Sequence, residues 1–119
     1  MNSKYHNKRV TVDGESFDSL KEYRRYCELR ILERTGVISD LKRQVKFELI
    51  PEQREPDTVG PRGGVKRGRV IERPCFYIAD FVYFENGNQV VEDTKGVKTE
   101  AYKIKKKLLC ARGIKIRES

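Results

Sequence analysis

A chain of 119 residues is long enough for one domain with one modest core and too short for a separate regulatory module beside it. Lysine and arginine outnumber aspartate and glutamate by 26 to 18, a net charge of +8 that favours a polyanionic partner such as nucleic acid, although a basic surface by itself is as often merely solvated. Cys27, Cys75 and Cys110 are scattered and form no CxxC pair, which excludes a redox dithiol of that spacing; they read as buried small hydrophobes in a reducing compartment.

From Met1 to Thr11 the chain is polar and basic with no apolar signal region, and no run approaches a membrane span, so a cytoplasmic protein with no membrane partner is expected. Val10 and Val12 alternate before Asp13-Gly14, which predicts a short hairpin over Lys8 to Phe17. From Ser19 to about Arg34 there is neither Gly nor Pro, and Leu20, Tyr23, Cys27 and Ile31 recur at helical spacing before Gly36; this predicts a first helix with that stripe inward.

Gln44 to Ile50 alternates Val45, Phe47 and Leu49 with polar residues and stops at Pro51, the pattern of a half-buried strand. Three prolines and four glycines among mixed charges then predict a long, flexible basic loop over about 51–69. Val70 to Phe84 is rich in β-branched and aromatic residues, Asn86-Gly87 is a strong hairpin signal, and Gln89 to Thr94 reads as the returning strand. Lys98 to about Ala111 is a basic helix with Ala101, Ile104 and Leu108 on one stripe, followed by Gly113 and a last strand at Ile114 and Ile116. The expected core order is helix, three strands, helix, strand, in a single α/β (α+β) domain without internal repeats.

The chemistry concentrates at the second hairpin. A turn centred on Asn86-Gly87 sets Phe84 against Gln89 and, counting outward, Asp80 against Asp93, on one face with Cβ atoms about 4.5–5.5 Å apart. Two such carboxylates beside a core repel by roughly 3 kcal/mol at an effective dielectric of about 20, a repulsion that bound Mg²⁺ or Mn²⁺ converts into a set of hard oxygen ligands. Lys95, two residues past Asp93, shares that face and can meet both a metal-bound water and a phosphate. A structural salt bridge between Lys95 and one aspartate accounts for the same spacing. Glu92, on the opposite face, reads as a solvated strand residue.

Asp80, a hairpin and Asp93-Thr94-Lys95 resemble the PD-(D/E)XK nuclease superfamily, whose core follows the same element order. Ser19-x-x-Glu22 to Tyr26, Ile38-x-x-Leu41-x-x-Gln44-x-x-Phe47, Tyr77-Ile78-Ala79-Asp80-Phe81 and Val91-Glu92-Asp93-Thr94-Lys95-Gly96 are similar to small, largely uncharacterised phage and prophage proteins placed in that superfamily. The departure is Ala79, where the pattern has proline. The resemblance implies a restriction-endonuclease-like core with a mixed central sheet flanked by helices. It further implies metal binding by Asp80, Asp93 and the Thr94 carbonyl, water activation by Lys95, and Glu22 holding a metal-bound water or a second ion. Ser19-x-x-Glu22 is equally a capping box, and Glu22 lies away from the Leu20/Cys27/Ile31 stripe, so spacing does not aim it at the aspartates.

The basic segment from Lys98 onward suits phosphate contacts, with Lys98, Thr99, Tyr102 and Lys106 grouped on one side of the helix and Lys103 nearby; an ordinary solvated face fits as well. Arg62, Lys66, Arg67 and Arg69 in the loop, with Lys4, Lys8 and Arg9, are further candidates to clamp duplex or branched DNA. Gln44 resembles a position near the family's active site, or is simply an outward polar strand residue. His6 pairs with no nucleophile and reads as surface. The expectation is a Mg²⁺-dependent endodeoxyribonuclease of phage or prophage recombination, repair or replication, with a homodimer suiting branched DNA; the competing expectation is a catalytically inactive nucleic-acid-binding accessory protein of the same fold.

Overall fold

Local signals dictate the first elements. Val10–Val12 (β1) and Glu15–Phe17 (β2) pair antiparallel from Val10↔Phe17 to Val12↔Glu15, around Asp13 and Gly14, both at positive φ. The computed structural model describes residues 9–94 and 98–119. Leu20–Arg34 (α1) is capped by Ser19, whose Oγ accepts the Glu22 backbone N–H at 3.1 Å.

The inward face of α1 is not the expected stripe. Leu20 and Ile31 are 47% and 58% exposed, whereas Glu22 and Leu29 are buried, with Tyr26 and Leu32 packed against Ile38, Phe81 and Tyr83. Apolar side chains occur on every side of this helix, so periodicity alone does not select a face.

Ile38–Ile50 (β3) follows, longer than predicted. Then come Gln53–Arg54 (β4), Thr58–Val59 (β5), Val65–Lys66 (β6), Val70–Glu72 (β7), Cys75–Glu85 (β8), Asn88–Asp93 (β9), Glu100–Ala111 (α2) and Ile116–Glu118 (β10). The central sheet has the order β10-β9-β8-β3, with β9 antiparallel to β8 and parallel to β10. The protein is therefore a mixed α+β fold whose α1, β3, β8, β9, α2 and β10 follow the predicted sequence of helix, three strands, helix, strand.

Phe81 and Tyr83 project from one face of this sheet into the cluster with Leu29. Val82, Val91 and Ile116 are buried on the other, as are Tyr102 and Leu109 of α2. The expected α2 stripe is thus displaced: Ala101 is exposed and Ile104 is 58% exposed, since the aromatic bulk of Tyr102 and the Leu109 side chain define the inward face instead. Cys27 and Cys75 are half-buried, and Cys110 is exposed rather than buried.

Two compact units are present, Met1–Val45 with Ile78–Ser119, and Lys46–Tyr77. The stretch expected as a flexible loop over about 51–69 carries strands: β4 pairs with β7 and β5 with β6, both antiparallel. Gly68 makes this possible, because a Cβ there would collide with the Glu55 carbonyl. No helix among the described residues is long and apolar enough to cross a membrane.

Candidate active site

The β8–β9 hairpin has the predicted register. Glu85↔Asn88, Phe84↔Gln89 and the following pairs run to Phe81↔Glu92, so Asp80 and Asp93 occupy the next step of their strands. The turn residues Asn86 (φ 52°) and Gly87 (φ 78°) are both left-handed, as a tight hairpin requires. Asp80 is 5% exposed and Asp93 fully buried.

Asp80 is held from two sides. Its Oδ2 accepts the Thr94 backbone N–H at 3.0 Å and the Thr94 hydroxyl at 2.9 Å. Its Oδ1 accepts the Gln44 side-chain amide at 3.3 Å, and the same Gln44 Nε2 donates to Glu22 Oε1 at 3.0 Å. Glu22 and Asp80 therefore converge on a single donor. Gln44 reaches this position from a left-handed backbone (φ 52°), a conformation that costs about 1–2 kcal/mol for a residue with a Cβ.

Glu22, 2% exposed, thus belongs to the site as well as to the helix cap. Its Oε2 accepts the Asp18 backbone N–H at 3.3 Å, not that of Ser19 as in a reciprocal capping box. Arg43 Nη2 donates to Oε1 at 3.3 Å. Burial, then the charge of Asp80, pushes the Glu22 pKa above the ordinary carboxylate range, against the opposing pull of Asp18 and Arg43.

Sequence reasoning missed Arg43, whose guanidinium stacks over the Phe17 ring at 3.8 Å while it holds Glu22. It also missed Glu118, which pairs with Asp93 across the β9–β10 ladder and gathers three of the residues expected on the nucleic-acid face. Tyr102 Oη donates to Glu118 Oε2 at 2.8 Å, and Lys106 and Lys98 approach Oε1 at 3.1 and 3.4 Å. The Tyr102 hydroxyl, together with Lys106, draws the Glu118 pKa down to about 2. Burial, then Glu118, and more weakly Asp93 and Asp80, raise that of Tyr102, which places its hydroxyl within the field of the aspartates. Thr99 is committed as the α2 N-cap, accepting Tyr102 N–H at 3.1 Å, and Lys103 turns to Glu100 at 3.2 Å.

Glu92 is not the solvated residue expected. It is fully buried, accepting from Arg25 at 2.6 and 3.0 Å and from the Tyr83 hydroxyl at 2.6 Å. Burial alone would raise its pKa, but these donors outweigh it and the net shift is downward. Lys95, Lys4, Lys8 and His6 lie outside the described residues.

The donor chemistry of Glu22, Asp80, Asp93 and the Thr94 carbonyl, all hard oxygens, suits Mg²⁺ or Mn²⁺. Gln44 Nε2 already occupies a point shared by two of these oxygens. Among the described residues, no group of three or more His, Cys, Asp or Glu side chains forms a ready-made metal cluster. No curated protein and no solved structure matches the chain. Its sequence matches the model of the family described as "Protein of unknown function (DUF1064)" over residues 2–119, and the chain belongs to that family.

Proposed function

We propose that this protein is a metal-dependent endonuclease that hydrolyses DNA phosphodiester bonds at the Glu22/Asp80/Asp93 site. The observation carrying the proposal is the convergence of buried Glu22 and Asp80 on one Gln44 amide, with Asp93 on the strand beside Asp80. Buried acids in mutual repulsion are costly to keep unless they serve an ion or a reaction. The resemblance of Asp80 and Asp93-Thr94-Lys95 to PD-(D/E)XK nucleases points to the same chemistry.

Asp80 and Asp93 would hold the ion, with Glu22 and the Thr94 carbonyl as further oxygens. A divalent ion at such a site lowers the pKa of water and offsets charge on the phosphate. The chain's own residues do the rest. Thr94 fixes the Asp80 carboxylate by two hydrogen bonds, leaving Oδ1 directed toward Gln44 and Glu22. By the resemblance, Lys95 would orient the attacking water and supply positive charge where negative charge develops on the phosphate. Water gives up a proton to solvent as its oxygen bonds to phosphorus, the bond to the leaving sugar oxygen breaks, and that oxygen takes a proton from solvent. Basic residues of α2 hold neighbouring phosphates without reading sequence.

A second reading, a nucleic-acid-binding accessory protein without catalysis, is favoured by one observation: Asp80 and Glu22 are already satisfied by protein donors. Incubation with linear, nicked, single-stranded and four-way DNA in Mg²⁺, Mn²⁺ or EDTA separates the two. The nuclease reading expects metal-dependent product on at least one substrate; binding without product on all of them favours the accessory protein.

A further inference from the structure

A pocket of about 360 Å³ adjoins the acidic site on the α1 side, walled by Lys21, Arg24, Arg25, Glu28, Thr94 and Ser119. Thr94 belongs to both: its hydroxyl and N–H secure Asp80 while the residue lines the pocket. Arg25 is engaged by Glu92 and Glu28. Lys21 and Arg24 are exposed and form no ion pair with another described residue. They stand three residues apart on α1, hence on one side of the helix.

Two exposed cations lining a pocket beside the proposed cleavage site match the chemistry of a sugar–phosphate: charged heads can meet the phosphate while aliphatic stems pack the sugar. The volume falls within the usual range of small-ligand sites, about 300–1,000 Å³. We propose that this pocket is a binding subsite for the nucleotide flanking the scissile bond, with Lys21 and Arg24 clamping its non-bridging phosphate oxygens. This rests on the nuclease reading for its orientation, but phosphate binding is measurable without cleavage.

The test is the affinity of the full chain for a labelled duplex in EDTA, across a salt series, for wild type, Lys21→Ala, Arg24→Ala, the double variant and Arg34→Ala, a basic residue on the same helix outside the pocket. Each pocket variant is expected to reduce the slope of log affinity against log salt by about 1. The double variant is expected to bind about tenfold more weakly. Duplexes ending in 5′-phosphate or 5′-hydroxyl separate the two sources of phosphate: equal losses indicate a phosphodiester within the strand, and a loss confined to the phosphorylated duplex indicates a strand end. Unchanged slopes, or an equal effect from Arg34→Ala, overturn the subsite. Should no substrate be cleaved in Mg²⁺ while the slopes still fall, the nuclease reading fails and the pocket stands as a phosphate-binding site alone.

Discussion

Gln44 and Glu22 define the site at the scale of single residues. Gln44 adopts a strained backbone and places its amide between two acids, so its two contributions have opposite signs. Gln44→Gly and Gln44→Ala both lose the amide, but only glycine relieves the left-handed strain. Chemical denaturation should show the glycine variant more stable by about 1 kcal/mol. Glu22 has a raised pKa when folded, so the folded state binds its proton more readily than the unfolded chain in the window just above the ordinary carboxylate range. Stability from this group is therefore lost as pH rises through that window. Thermal melts at pH values rising from the ordinary carboxylate range should fall more for wild type than for Glu22→Gln. Parallel profiles would mean that burial and the Asp80 charge do not hold the Glu22 pKa up.

Arg25 and Glu92 join α1 to β9, and Gly87 closes β8 onto β9, which is where stability is decided at the scale of elements. Glu92 is fully buried, so Arg25→Met leaves the Tyr83 hydroxyl on the carboxylate but removes the Arg25 charge that balances it, and should cost about 3–5 kcal/mol. Arg25→Met combined with Glu92→Gln should cost less than Arg25→Met alone, a reversal that a merely additive surface pair would not give. Gly87 has open space where a Cβ would go, so Gly87→Ala isolates the backbone penalty at φ 78°. A loss of about 1–2 kcal/mol is expected, with reduced cleavage because the same turn sets the Asp80–Asp93 register.

For the whole molecule, what was legible in the sequence was whatever is local. Asn86-Gly87 fixed the β8–β9 register, and with it the place of both aspartates, because a two-residue turn admits few pairings. The order of helices and strands around the mixed sheet was equally readable. Glu22 was not: its inward aim depends on which side of α1 packs on Phe81 and Tyr83, a choice the evenly distributed apolar residues leave open. Glu92 finds Arg25 a distance of 67 residues away in sequence, and Glu118 meets Tyr102 and Lys106 only once β10 has joined the sheet. The paired strands of 51–69 hid behind prolines and glycines, which mark turns as readily as loops.

In the proposed nuclease, Asp93 holds the ion that serves phosphodiester cleavage and does not merely complete the sheet. Single-turnover cleavage of the substrate that wild type cuts in Mg²⁺ tests this role, comparing wild type with Asp93→Asn, whose near-identical shape preserves the strand. A fall in rate of at least about a thousandfold is predicted, with DNA affinity in EDTA and the melting profile essentially retained. Cleavage by Asp93→Asn at the wild-type rate would rule out that role for Asp93.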